Sequence, residues 1–255
     1  MNGVADGRKL HVVLILVLAT MVVAAGCSAG GHRPGHAAAP PPAPVPTVAP
    51  APPPPPHSIV ATARVPSVEV FAAPGTGAAA SALANPNEFD LPLVFRVQAV
   101  RPDWVQVMLP VRPNGSTGWV RAADVTMADD DWRMEVSLGA HRLNVWKGAE
   151  LIRQETIAVG MAGAPTPTGD FYLTETLDTG NPSGPYGPWA FGLSAFSDTY
   201  TSFAGGPGQI GLHGTNDPEA LGGDVSHGCI RITNEAITDL AARVPPGTPI
   251  SVVAA

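Results

Sequence analysis

Cysteine is nearly absent from this chain: there are two in 255 residues, Cys27 and Cys229. So few cannot build a disulfide framework. Positive charge is also sparse, with 14 lysines and arginines against 21 acids and a net charge of -7. The basic residues are scattered, and an acidic chain without a basic patch argues against a nucleic-acid partner. Long apolar runs are limited to one, Val12 to Ala25 (VVLILVLATMVVAA), which is slightly short of the about 20 residues that a membrane-spanning helix needs. Helical patterning is scarce too, and a mainly β chain is the expectation.

What is present begins with a leader. Arg8, Lys9 and His11 precede the apolar run, and small residues end it, which is the layout of an export signal. The ending Ala24-Ala25-Gly26-Cys27 resembles the lipobox of bacterial lipoproteins. That resemblance implies that residues 1–27 are a signal with Cys27 as its lipidation site. It also implies a lipid anchor in the cell membrane and a body outside the cytoplasm, facing the cell wall. A plain cleaved signal or an uncleaved N-terminal anchor would leave the body on the same side. Residues 28–57 form a Pro/Ala-rich tether with twelve prolines between Pro34 and Pro56. Such a run favours extended polyproline II, and at about 3.1 Å per residue it could reach roughly 90 Å.

Residues 58–127 read as a small all-β module of short strands between turns. Ser67 to Ala72 alternates, with Val68, Val70 and Ala72 on one face and Phe71 on the other. Phe95–Val100 and Trp104–Leu109 read as a hairpin about Arg101-Pro102-Asp103, and Asn114-Gly115 marks a tight turn before Gly118-Trp119-Val120. Trp104 and Trp119 suit either ligand stacking or a core. The phrase W-x-Q-V-x-L-P, a turn, then G-W-V resembles bacterial SH3-like modules of wall enzymes, which implies a small SH3-like β-barrel.

Residues 132–253 carry further strands at Met134–Leu138, Leu143–Trp146, Leu151–Val159, Phe171–Thr176 and Ile250–Val253. The one good helix pattern is Glu235–Arg243, with Asn234 as cap, Ile237, Leu240, Ala241 and Val244 as its apolar stripe, and Pro245-Pro246-Gly247 as its stop. Asp178 to Trp189 and Asp198 to Gly208 read as Gly- and Pro-rich loop, and the aromatics Tyr186, Trp189, Phe191 and Phe203 are placed in a lid-like region ahead of His213.

The chemistry is concentrated between Gln209 and Ile232, QIGLHGTNDPEALGGDVSHGCIRI. A thiol and an imidazole are the minimum set for nucleophilic acyl transfer. Cys229 is flanked by His and Gly rather than by apolar side chains, unlike an inert buried cysteine. His227 lies two residues away, an awkward approach. His213 can cross from a neighbouring strand, so it is assigned as the general base, with the Gly214 carbonyl orienting its ring. The backbone N–H groups of His227, Gly228 and Cys229 are expected to form an oxyanion hole. Arg231 either binds a substrate carboxylate or pairs with an acid. Asp217 and Asp224 suit either an amine contact or solvation. A zinc site on His213, His227 and Cys229 would lack a supporting carboxylate or fourth ligand, so no metal and no cofactor are expected. A papain-type arrangement has the reverse order of Cys and His.

The run H-G-T, about a dozen residues, then S-H-G-C-I-R, together with Thr166–Phe171 (TPTGDF), resembles the L,D-transpeptidase catalytic domain. This implies a mainly β, sandwich-like catalytic domain with one main helix. By the match, Cys229 is the nucleophile and His213 the base, with Ser226, His227 and Gly228 as motif residues. Substrate contacts are expected at Ser226, Arg231, Tyr186, Trp189 and Phe191. The implied substrates are peptidoglycan stem peptides. The tetrapeptide is cleaved before its terminal D-Ala, and the acyl group passes to a side-chain amine of another stem as a 3-3 cross-link. Water as acceptor would give an L,D-carboxypeptidase, and a protein acceptor would give wall attachment. A vestigial domain would make the chain a non-catalytic wall-binding lipoprotein. A monomer suffices for any of these.

Overall fold

The computed structural model describes residues 57–255 apart from Thr76 and Ala204. The leader, Cys27 and nearly all of the proline-rich tether lie outside the described residues. Among the described residues no helix is long and apolar enough to cross a membrane.

The N-terminal half is built from β1 (Ser58–Ala63), β2 (Ser67–Val70), β3 (Ser81–Ala84), β4 (Val94–Arg101), β5 (Trp104–Met108), β6 (Thr117–Arg121) and β7 (Val125–Asp130). Five of these form an antiparallel sheet in the order β6-β5-β4-β1-β7, while β2 and β3 make a separate hairpin. Arg101 faces Trp104 across the Pro102–Asp103 turn, which Asp103 enters with a positive φ of 62°. These strands form a sheet with a hairpin tied to its β6 edge. Phe71 does the tying, exchanging backbone hydrogen bonds of 2.8 Å with Trp119. Phe71 is not on a solvent face, as strict alternation would put it. It is 2 % exposed and meets Trp104 edge-on at 5.0 Å, because the strand ends at Val70 and the chain turns over the sheet edge. Trp119 is buried and Trp104 half-buried, so both serve packing.

The second half holds β8 (Trp132–Ser137), β9 (Arg142–Lys147), β10 (Glu150–Thr156), β11 (Val159–Gly160), β12 (Gly169–Asp178), β13 (Trp189–Phe196), β14 (Gln209–His213), β15 (Asp224–Ser226), β16 (Ile230–Arg231), α1 (Asn234–Ala241) and β17 (Pro249–Val253). Among the described residues the mainly β class with one α-helix holds. The sandwich-like arrangement takes the form of one eight-stranded sheet, ordered β10-β9-β8-β17-β12-β13-β14-β16, with β11 and β15 as a small parallel pair beside it. The β8–β17 and β14–β16 pairings are parallel, and the other pairings of this sheet are antiparallel. Helix α1 buries Ala236, Ile237 and Leu240 against this sheet. Its cap is Thr233, whose Oγ1 accepts the Ala236 N–H at 3.1 Å, and not Asn234, which is already helical and used elsewhere.

Asp130 joins the two halves. Its carboxylate accepts the Trp132 N–H at 2.9 Å and the Thr248 hydroxyl at 2.8 Å, and burial pushes its pKa up. A small apolar cluster of Val60, Val94, Met108 and Tyr172 fills the seam between the sheets, and the Tyr172 hydroxyl donates to the Val94 carbonyl at 3.2 Å.

Candidate active site

Strand β14 delivers His213, and Cys229 is the residue immediately before β16. These strands run parallel with Leu212 opposite Ile230 and His213 opposite Arg231, which sets Gly211 beside Cys229. The Gly211 N–H donates to Cys229 Sγ at 3.4 Å. A Cβ at Gly211 would lie 3.8 Å from His213 Cδ2 and 3.9 Å from Cys229 Sγ, so imidazole and thiol converge on this one glycine.

The His213 ring is 3 % exposed and its Nδ1 lies 2.6 Å from the Gly214 carbonyl oxygen. A carbonyl only accepts, so Nδ1 carries the proton and Nε2 keeps its lone pair. Burial, with the positive Arg231 nearby, lowers the imidazole pKa to about 4 against the pull of that carbonyl. Burial likewise raises the Cys229 pKa, opposed by the Gly211 N–H and by Arg231. The resting pair at neutral pH is therefore a neutral thiol beside a neutral imidazole.

The turn between β15 and β16 is knotted internally. The Ser226 hydroxyl donates to the Cys229 carbonyl at 2.6 Å and accepts the Gly228 N–H at 3.1 Å. Ser226 is 1 % exposed, so its hydroxyl shapes the turn and is not free for a substrate. The Gly228 N–H, one of the expected oxyanion donors, is taken by this bond. Gly228 has φ +119°, and a Cβ there would meet Ile210 Cδ1 at 2.9 Å, so only glycine fits without strain. Thr166, from the TPTGDF phrase, clasps the turn from outside by donating to the Gly228 carbonyl at 2.8 Å while accepting the Gly160 N–H at 2.9 Å.

A cavity of about 270 Å³ opens over the pair, lined by Tyr186, Tyr200, Phe203, Ser226, His227 and Arg231 among others. Tyr186 meets the His213 ring edge-on at 4.8 Å. The His227 ring is exposed and packs against Phe203 at 5.3 Å and Tyr200 at 5.9 Å. A second groove of about 660 Å³ shares Tyr186, Phe203, His213 and Cys229 and runs on past Glu88, Glu175 and Asp178. Among its described lining residues there is no Lys or Arg. Arg231 lines the first cavity with no carboxylate paired to it among the described residues, and its Nε has no hydrogen-bond partner.

Four residues singled out from the sequence do not line the first cavity. Phe191 is fully buried in β13 as part of the main core, and Trp189, at the start of that strand, packs against the same core. Strand β13 is buried almost throughout and shows no polar alternation, so its sequence reads as loop. Asp217 caps a short turn, its N–H donating to Thr215 Oγ1, and Asp224 pairs with His141 Nε2 at 2.8 Å. Neither lines the cavity over Cys229. Asn234 has a larger part than the sequence suggests. Its Oδ1 accepts the Thr215 N–H at 2.8 Å, and a Cβ at Gly187 or Gly214 would stand 2.2 or 2.3 Å from that oxygen. It thus fixes the turn that presents the Gly214 carbonyl. Among the described residues no three His, Cys, Asp or Glu side chains gather as a metal site requires.

This fold and pocket define a β protein in which a strand-borne histidine and a cysteine just ahead of the neighbouring strand meet at a glycine. Residues 131–252 match the family described as YkuD, the L,D-transpeptidase catalytic domain. The chain is 36% identical over 121 residues to the YkuD proteins of Bacillus licheniformis and Bacillus subtilis. Those matches cover 48% of this chain and 65% of either relative, under two thirds of their length. A solved L,D-transpeptidase variant from Enterococcus faecium is similar at 24% identity and a TM-score of 0.37, over 48% of this chain and 49% of that one.

Proposed function

We propose that the chain is a peptidoglycan L,D-transpeptidase working through a thioester on Cys229. The observation that carries the reading is the convergence of Cys229 Sγ and the His213 ring on Gly211, with Nδ1 of His213 committed to the Gly214 carbonyl. Cys229 Sγ attacks the carbonyl carbon of the L-centre at the third residue of a tetrapeptide stem, and its proton passes to His213 Nε2. The bond to the terminal D-Ala breaks, and the leaving amine takes that proton from the imidazolium. An acceptor amine then attacks the thioester, gives a proton to His213, and the sulfur departs and is reprotonated. With the Gly228 N–H engaged by Ser226, the N–H groups of His227 and Cys229 are the donors for the oxyanion.

The unpaired Arg231 suits a donor carboxylate, and the carboxylate-lined groove beyond Cys229 suits an acceptor that arrives as an ammonium ion. In this reading Cys27 is lipidated, the proline-rich tether spans toward the wall, and residues 58–127 are an SH3-like module beside the enzyme. Intact-mass analysis with a defined tetrapeptide tests the chemistry. The wild type gains the acyl-tripeptide mass on Cys229 and releases D-Ala, and Cys229→Ala does neither. An amine-dependent product identifies a transpeptidase, and a hydrolysed tripeptide alone a carboxypeptidase. An unmodified wild-type protein after prolonged exposure sinks the proposal.

A further inference from the structure

The connection between β5 and β6 reaches across to the pocket. Arg112 donates from Nη1 to the Ser197 carbonyl at 2.7 Å and from Nη2 to the carbonyls of Tyr200 and Pro207 at 2.9 and 3.0 Å. Its guanidinium lies over the Phe196 ring at 5.1 Å. Two residues on, Asn114 uses both ends of its amide on the Phe196 backbone. Nδ2 donates to the carbonyl and Oδ1 accepts the N–H, each at 2.8 Å. One short connection of the N-terminal sheet thus grips the end of β13 and the segment that follows it.

That segment is a wall of the pocket. Tyr200 and Phe203 line the cavity with Cys229, and their rings pack on His227. The segment has bonds of its own. Ser197 N–H donates to the Gly208 carbonyl, Ser197 Oγ accepts the N–H groups of Thr199 and Tyr200, and Phe203 and Gly206 exchange backbone bonds. These give it a local shape and do not set its distance from Cys229. Among the described residues, apart from the bonds to the adjoining Ser197, the hydrogen bonds that tie the stretch from 198 to 207 to the rest of the molecule are those from Arg112. A planar fork of N–H donors reaches three carbonyls at the start, middle and end of the segment at once, which a single ammonium on a flexible stem does not reproduce. Gly208 keeps the approach open, since a Cβ there would lie 2.2 Å from the Tyr200 carbonyl oxygen and 3.1 Å from Arg112 Nη2.

We propose that Arg112 is a positioning residue for the acyl-donor pocket, through which the N-terminal sheet sets how far the Tyr200–Phe203 wall stands from Cys229. The proposal rests on the reading of this pocket as the donor site. Arg112 is exposed and touches neither His213 nor Cys229, so its loss moves the wall and leaves the reacting pair intact.

The test uses the full chain and follows acylation of Cys229 by a defined tetrapeptide as a function of its concentration, with iodoacetamide alkylation of the thiol measured in parallel. Arg112→Ala is expected to raise the half-saturating tetrapeptide concentration about tenfold, with the limiting acylation rate and the iodoacetamide rate within about twofold of wild type. Arg112→Lys is expected to recover only part of the loss. Amide exchange of the Tyr200–Phe203 stretch should quicken in Arg112→Ala while that of β12 and β13 is unchanged. If wild type and Arg112→Ala are acylated with the same concentration dependence, the positioning role is wrong. It is equally wrong if alkylation, limiting rate and exchange throughout the sheet all change together in both variants, since that is a general loss of structure. A wild type that is alkylated by iodoacetamide and never acylated by the tetrapeptide overturns the donor-site reading instead.

Discussion

At the scale of single residues, the pair of Cys229 and His213 is tuned toward neutrality. Burial lowers the His213 pKa to about 4 and raises that of Cys229, so in the proposed mechanism the thiol gives up its proton only as it attacks. The imidazole stays available as a base down to about pH 4, and the acid limb of Cys229 acylation should fall there instead of near the ordinary imidazole value of about 6.5. Rates of tetrapeptide acylation between pH 3.5 and 8, read by mass, check this. An acid limb at the ordinary value would contradict the burial argument. The same shift affects stability. Between the two values the unfolded chain binds a proton on His213 that the folded chain does not, so stability falls as pH drops from about 6.5 toward 4 and no further below it. The contribution is at most about 3 kcal/mol. Urea midpoints of wild type and His213→Gln across this range should diverge, with the variant less dependent on pH. The bearing of Cys229, His213 and Gly214 on one another was legible from the sequence, because a Cys beside glycine and a distant strand-borne His have few other uses. The engagement of Ser226 and of the Gly228 N–H was not, because both are satisfied within the turn, where only coordinates reveal the partners.

At the scale of elements, helix α1 and strand β13 show how local signals compete. Thr233 and Asn234 are both good caps. Thr233 takes the role, and Asn234 turns back to hold Thr215 and, through its Nδ2, the Pro182 carbonyl at 3.3 Å. The two substitutions should therefore separate. Thr233→Ala is expected to cost about 1 kcal/mol of stability with acylation little changed, as for the loss of a cap. Asn234→Ala leaves the Thr215 N–H without its acceptor and frees the turn behind His213, so acylation should slow about tenfold or more for a comparable stability loss. Thermal unfolding with acylation rates on the same samples distinguishes them, and equal behaviour of the two variants would refute the assignment. Strand β13 escaped detection for the opposite reason. Its last six residues are buried, so nothing alternates and the apolar run has no period to read.

At the scale of the whole molecule, the two β halves share the seam around Tyr172. That side chain is fully buried, with its hydroxyl on the Val94 carbonyl. Gly247 lies against Val60 across the same seam. It has φ +99°, and a Cβ there would stand 2.3 Å from Val60 Cγ1. Tyr172→Phe should lower stability by about 1 kcal/mol, the usual worth of one buried hydrogen bond. Gly247→Ala should cost more, about 2 kcal/mol, through the positive φ and the contact with Val60. Urea denaturation measures both, and an unchanged midpoint for Gly247→Ala would show that the seam is loose.

By itself the sequence determined the texture and the candidate pair: a mainly β chain, a cysteine in SHGC and a histidine sixteen residues upstream, since these depend on residue types and short spacings. Tertiary structure alone decided which groups were already engaged and which halves of the chain touch the pocket. The Arg112 fork, the Asn234 amide and the Thr166 hydroxyl act across 85, 19 and 62 residues of chain, and local pattern carries no information over such separations. What brings them together is the pairing of strands far apart in sequence, which is settled by packing and not by neighbours.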